Sequence, residues 1–339
     1  MMKSPQKYDR FISQSVWIII VLCLLLHGSC GIGSRRIIKL AHALDTSHPV
    51  HEAMSFMARR VEEQSGGRLR IRIYPSQQLG TESQCLELVQ IGVIGMTKVS
   101  AAVMEGIVPE FKVLSLPYIF RDKAHYFKVL DGNVGEELLV AGREYWLHGL
   151  CYYDAGSRSF YARDKMIRHP DDLAGLKIRV MQSNTAIQMI KTLGGSATPI
   201  SWGELYTALQ GGVVDAAENN PPSFYLSHHY EVCKYYSLNE HTSIPDILVM
   251  NSRLWDGLND EEKGWIKEAA VESSMYQREL WKASEQKSLD ALREAGVEIF
   301  YPDKKPFLEK VETMYDTFKD NKMIYSLITR IRKIESDGM

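Results

Sequence analysis

The stretch from Gly175 to Asn219 constrains this chain most. It opens on Gly-Leu-Lys-Ile-Arg-Val, continues through a helix-like run, and ends on Pro-Ile-Ser-Trp-Gly-Glu-Leu-Tyr-Thr-Ala-Leu-Gln-Gly-Gly-Val-Val-Asp-Ala-Ala-Glu-Asn. The alternation predicts a strand with Leu176, Ile178 and Val180 on one face and Lys177 and Arg179 on the other. Arg179 is therefore barred from the apolar face of its own strand and must end in solvent, in an ion pair, or in a cleft. Trp202–Gln210 reads as a helix stopped by Gly211-Gly212, and the Val-Val-Asp-Ala-Ala run as a second short strand ending at Glu218-Asn219. Strand, helix and strand make a βαβ unit, whose ligands sit at the carboxyl ends of the strands. Arg179 lies near one such end and Asn219 at another, so both side chains can serve one small anion.

The same alternation recurs upstream. Ile37–Leu44, Leu69–Tyr74 and Met96–Ser100 read as strands, separated by helices from His48 to about Gln64 and around Glu82–Ile91. This order argues an α/β fold with a parallel sheet. A chain of 339 residues exceeds one small domain, so two lobes are expected. The crossing into the second lobe is placed after the strand Leu150–Tyr153. Val232–Leu238 and Asp246–Asn251 lead back toward the first. Asn259, followed by Asp260, Glu261 and Glu262, has the form of a capping box. The helix it opens meets no further glycine after Gly264 until Gly296, a span of about 50 Å that should lean on both lobes. The expected division is 34–155 plus 245–284 for lobe I and 156–244 plus 285–339 for lobe II.

The N-terminus reads as an export signal over residues 1–33: Lys3, Lys7 and Arg10 precede the apolar run Val16–Leu26 and small residues at Gly28 and Ser29,. Leu-Leu-His-Gly-Ser-Cys-Gly resembles a lipoprotein processing site with Cys30 acylated. Simple cleavage nearby is the alternative. Cys85, Cys151 and Cys233 contain no C-x-x-C pair, so three buried free thiols are expected, with one disulfide left open.

Several function classes lack support. Lys plus Arg total 40 against 42 Asp plus Glu, which offers no basic field for nucleic acid. No G-x-S-x-G elbow, G-x-G-x-x-G turn or P-loop occurs, so neither an α/β-hydrolase nor a nucleotide cofactor is signalled. Carboxylates are many, but none falls in a recognisable catalytic context. His48 and His51 are spaced as two zinc ligands could be, yet two are insufficient and no third is placed by motif. His228-His229 reads as a solvated pair.

Gly-Leu-Lys-Ile-Arg-Val, the run from Trp202 to Gly211, Val-Val-Asp-Ala-Ala-Glu-Asn, Gly66–Gly80, Ser115–Phe120 and the segment from Ser252 resemble, in this order and spacing, the substrate-binding proteins of tripartite ATP-independent periplasmic (TRAP) transporters, the DctP type. The resemblance implies a two-lobed periplasmic binding protein fold with a long helix spanning both lobes, no catalysis, no cofactor and no bound metal. It implies two partners, the small and large membrane subunits of a sodium-coupled transporter. It implies that Arg179 grips a ligand carboxylate, assisted by Asn219 and by Arg158. Arg158 itself reads as a turn residue after Gly156-Ser157, nearer solvent. Asn219 otherwise reads as a turn residue before Pro221-Pro222. Glu82 fits either dipole compensation in a first helical turn or contact with ligand hydroxyls. His48, Tyr225 and His241 are expected as further wall residues. The mixture favours a sugar acid, with Tyr153–Tyr161 and Glu240–Asp246 most similar to the hexuronate-binding branch. Aldonic, sialic and 2-oxo acids are alternatives, as is a sensory module that reports ligand to a receptor.

Overall fold

The structure, a computed structural model, describes residues 35–335. The expected signal segment and Cys30 lie outside these residues. The chain forms two mixed sheets. The first contains β1 (Arg36–Ala41), β2 (Leu69–Tyr74), β3 (Met96–Ser100), β4 (Leu147–Tyr153) and β10 (Asp246–Asn251) in the order β2-β1-β3-β10-β4. The second contains β5 (Arg158–Ala162), β6 (Lys177–Val180), β7 (Ser196–Pro199), β8 (Ala216–Asn219), β9 (Tyr235–Thr242) and β11 (Glu298–Phe300) in the order β11-β9-β5-β8-β6-β7. In each sheet one antiparallel strand interrupts otherwise parallel pairings. β10 runs against β3 and β4, and β5 against β8 and β9. These two strands are the ones the chain enters at its first two crossings between the sheets, after Tyr153 and after Thr242; the third crossing ends at β11, which pairs parallel to β9.

Period-2 patterning explains the edge strand β2, where Leu69 and Ile71 are buried while Arg70 and Arg72 are exposed. In β6 the expected faces hold: Ile178 and Val180 join the core with Ile190 and Leu193 of the helix Asn184–Leu193. β7 was not anticipated; its Ser-Ala-Thr-Pro sequence carries no apolar alternation. Of the two segments expected to lead back to the first lobe, Asp246–Asn251 does so. β9 instead pairs with β5 and β11 in the second sheet.

The long helix spans Asp260–Glu294, 35 residues, and Asn259 and Glu262 form the reciprocal capping box. Its Trp281 packs in the first lobe's core and its Leu292 in the second's, so it bridges both lobes as expected. The closing helix Lys322–Lys333 departs from expectation. Ile324, Leu327, Ile328 and Ile331 form a single stripe that joins Phe111, Val113 and Val129 of the first lobe. Only the preceding Phe307, Val311 and Met314 stay with the second. A stripe spaced 3, 4 and 7 says that a helix covers a core; it does not say which of two.

Cys85, Cys151 and Cys233 are buried free thiols. Among the described residues, no helix is long and apolar enough to cross a membrane.

Candidate ligand-binding cleft

A cleft opens between the two sheets. Its first-lobe wall includes His48, Glu82, Lys98 and Asp246, and its second-lobe wall includes Arg158, Arg179, Trp202 and Asn219. Trp281 of the long helix also lines it. The lobes touch across it. Ser83 Oγ donates to Gln182 Oε1 at 2.5 Å, His48 Nε2 lies 3.4 Å from Ser223 Oγ, and Glu105 accepts from Ser183 Oγ and the Thr185 N–H at 2.8 and 2.9 Å.

Arg179 faces Ala217 across the β6–β8 ladder, which puts it on the strand face shared with Asn219 two residues on. It is only 2% exposed. Its Nε donates to the Ile200 carbonyl at 2.9 Å, and its Cζ lies 5.9 Å from the centre of the Trp202 ring. Its Nη1 is buried with no hydrogen-bond partner. Burial pushes its pKa below the ordinary arginine value, and the nearby Arg158 charge adds to this. A buried guanidinium with a spare donor is a socket for an anion.

Arg158 corrects an expectation. It is the first residue of β5 rather than part of a solvent-facing turn, and is 6% exposed. Phe160 sits opposite Glu218 on β8, and Arg158, two residues earlier, reaches that carboxylate diagonally. Its Nε pairs with Glu218 Oε2, and its Nη2 donates to Oε1 at 2.9 Å and to the Glu218 carbonyl at 2.7 Å. Its Nη1 donates to Asn219 Oδ1 at 2.9 Å. Burial works against the Glu218 carboxylate, but Arg158 and His241 together outweigh it and hold the pKa down to about 2. Asn219 Oδ1 also accepts from the N–H and side-chain amide of Asn220. With its acceptor engaged, Asn219 has only its NH2 to offer the cleft. Arg158 is thus a braced wall, and Arg179 is the cation without a carboxylate partner here.

His48 caps the helix Pro49–Gln64. Its Nδ1 accepts from the Val50 N–H at 3.3 Å, so the ring proton sits on Nε2, on the side of Ser223. Burial, helped by the Lys98 charge, lowers its pKa to about 3 and keeps it a neutral donor. His51 turns away to His42 at 2.9 Å, and no cluster able to hold a metal occurs among the described residues. Glu82 lines the cleft at the start of a helix and is paired with a lysine. It opens the helix Glu82–Gln90, and its Oε1 lies 2.6 Å from Lys98 Nζ. Lys98 is also 3.2 Å from Asp246 Oδ2. Burial raises the Asp246 pKa, with Lys98 opposing it.

Tyr225 and His241 do not line the cleft. Tyr225 stacks on Tyr230 at 5.4 Å. On the short helix Pro221–Leu226, Ser223 faces the cleft, and a residue two further on points about 200° away. His241 is buried behind the Arg158–Glu218 pair, stacked on Phe160 at 4.4 Å, with Nε2 3.6 Å from Glu218. His229 is not solvated either; its Nδ1 meets the Tyr161 hydroxyl at 2.9 Å in the core. Sequence reading missed Lys98, Asp246, Trp202 and Trp281. The one available signal was Lys98, a cation within an otherwise core-like strand.

The buried histidines set a pH dependence. Burial lowers His42 to about 2 and His48 and His229 to about 3. Above pH 6.5 these rings are neutral folded and unfolded, so they contribute no slope. Below it the unfolded chain takes up protons that the folded chain refuses, so stability falls as pH falls, by about 1.4 kcal/mol per pH unit for each such ring. Thermal melts from pH 8 to 4 should show a plateau above about 6.5 and a decline beneath it. A melting temperature constant to pH 5 would rule this out.

The profile of the bacterial extracellular solute-binding proteins, family 7 (DctP), matches residues 40–321. The YiiZ protein of Salmonella typhimurium is 41% identical over 299 residues, 87% of this chain and 91% of that one. A TRAP periplasmic solute-binding protein from Xanthobacter autotrophicus Py2 with bound beta-D-galacturonate superposes with a TM-score of 0.86 at 38% identity, covering 88% of this chain and 100% of the other. One from Anaerococcus prevotii with bound alpha/beta D-glucuronate gives 0.86 at 36%, covering 88% and 98%. With the two-sheet architecture, the bridging helix and the interlobe cleft, these matches make the chain a member of the DctP family of TRAP-type extracytoplasmic solute-binding proteins.

Proposed function

We propose that this protein captures a hexuronate, D-galacturonate or D-glucuronate, outside the cytoplasm and presents it to the small and large membrane subunits of a sodium-coupled TRAP transporter. The observation that carries this reading is Arg179, a buried cation with an unpartnered Nη1 beside an interlobe cleft. Arg179 would hold the carboxylate through charge-assisted hydrogen bonds, with the Asn219 amide beside it. Glu82, Asp246, His48 Nε2–H and Ser223 would meet the hydroxyls. The uronates bound in neighbours of 38% and 36% identity support this choice of ligand.

A thermal-shift and calorimetry screen tests it. A uronate at about 100 times its dissociation constant should stabilise the protein by about 2.7 kcal/mol and be recovered chemically unchanged. D-galactose, which lacks the carboxylate, should give no shift. Binding of galactose equal to that of galacturonate would overturn the reading.

A further inference from the structure

The cleft offers two buried cations on opposite walls, Arg179 and Lys98, an arrangement that could hold an anionic group at each end of a ligand. Their partners decide otherwise. The ionisable residues lining the cleft are His48, Glu82, Lys98, Arg158, Arg179 and Asp246, with Glu218 bound behind Arg158. On the second-lobe wall, two arginines face the single carboxylate of Glu218, an excess of one positive charge. On the first-lobe wall, Lys98 lies between two carboxylates, 2.6 Å from Glu82 and 3.2 Å from Asp246, an excess of one negative charge. His48 is a neutral donor on that wall.

We infer that Glu82 and Asp246 make the cleft selective for monoanions: it takes one carboxylate at Arg179 and excludes a second at the Lys98 end. This deepens the hexuronate reading and rests on it. Lys98 has its charge more than cancelled, so it cannot receive a further anion. A carboxylate placed there would meet two like charges at short range in a water-poor site, where Coulomb repulsion is poorly screened. A hydroxyl or hemiacetal oxygen there carries no charge and can donate to either carboxylate. Specificity then comes from a built-in repulsion as well as from attraction. The ligand class is a sugar acid with one carboxylate. The matching aldarates and plain dicarboxylates are rejected.

Calorimetry on the purified protein compares D-galacturonate with galactarate, which carries a second carboxylate in place of the C1 aldehyde. Wild type should prefer galacturonate by about a hundredfold or more. Glu82→Gln and Asp246→Asn each keep the side-chain size and a hydrogen-bonding oxygen while removing one negative charge. Each should narrow the preference by about tenfold or more, even where galacturonate itself binds more weakly. Lys98→Gln should widen it. Galactarate has no aldehyde and cannot close the pyranose ring, so the wild-type preference carries shape as well as charge; because the same two ligands are used with every variant, the change in the ratio reports charge. A wild-type preference under threefold, or a ratio unmoved in both carboxylate variants, would overturn the inference. The hexuronate reading fails separately: if wild type binds gluconate but neither uronate, that reading falls, and the charge rule is then decided by the same ratio measured for gluconate against glucarate, where a preference under threefold overturns it. Binding of succinate in place of any sugar acid sinks both.

Discussion

Arg179→Ala should weaken hexuronate binding by about 3–5 kcal/mol, the cost of leaving one member of a buried charge pair without its partner, or roughly a hundred- to several-thousand-fold. The fold should survive. Arg179 makes one side-chain hydrogen bond, to the Ile200 carbonyl, and no carboxylate depends on it. Burial already works against its charge in the unliganded protein. Removing that charge should therefore leave the unliganded melting temperature unchanged or raise it. A residue that supports the fold would do the opposite. Arg179→Lys keeps the charge but loses the planar fork and the Nε contact, so it should fall between alanine and wild type. Calorimetry with galacturonate, alongside melts without ligand, separates the outcomes. Affinity within threefold of wild type for the alanine variant would remove Arg179 from the site.

Arg158→Ala should act on the fold itself. It strips Glu218 of both guanidinium bonds and leaves a buried carboxylate with only His241 nearby, at 3.6 Å. Breaking a buried pair from one side costs about 3–5 kcal/mol of stability. Binding would fail as well, since Asn219 loses the donor that engages its Oδ1, but that loss follows from the damaged wall. Pairing the change with Glu218→Gln removes the stranded charge and should restore part of the stability, a non-additivity that a double-mutant cycle measures. The pair also has a pH signature. Glu218 titrates near 2 when folded, below its ordinary carboxylate value. Its stabilisation is therefore present above about pH 4.5 and lost as pH falls from there toward 2. Urea titrations of the two single variants and the double variant give the test. An Arg158→Ala protein as stable as wild type would show the ion pair to be dispensable. The solvent-near position expected for Arg158 is replaced by a buried one.

Much of this architecture was legible in the sequence because its causes are local. Alternation placed β2 and β6 and assigned Arg179 to the face away from Ile178 and Val180. The Asn259–Glu262 capping box started the long helix where expected, and Arg179, Asn219, Glu82 and His48 all reached the cleft. What local patterns cannot carry is the partner of a side chain. Arg158 and Glu218 are 60 residues apart, and only the β5–β8 ladder brings them together. That pairing braces Arg158 within the cleft wall, where its place as a ligand contact had been expected. Lys98, Glu82 and Asp246 likewise come from three separate elements, so their joint charge exists only in the folded chain. Tyr225 and Ser223 differ by two residues on one short helix, and its orientation against the sheet decided which of them the cleft received. The same limit applies to the closing helix, whose apolar stripe guaranteed burial while tertiary packing chose the lobe. Hydrophobic and hydrogen-bond periodicity act over a few residues, so sequence determines which face is buried. Charge compensation acts through space, so only the assembled sheets could decide which of two buried arginines was left without a carboxylate.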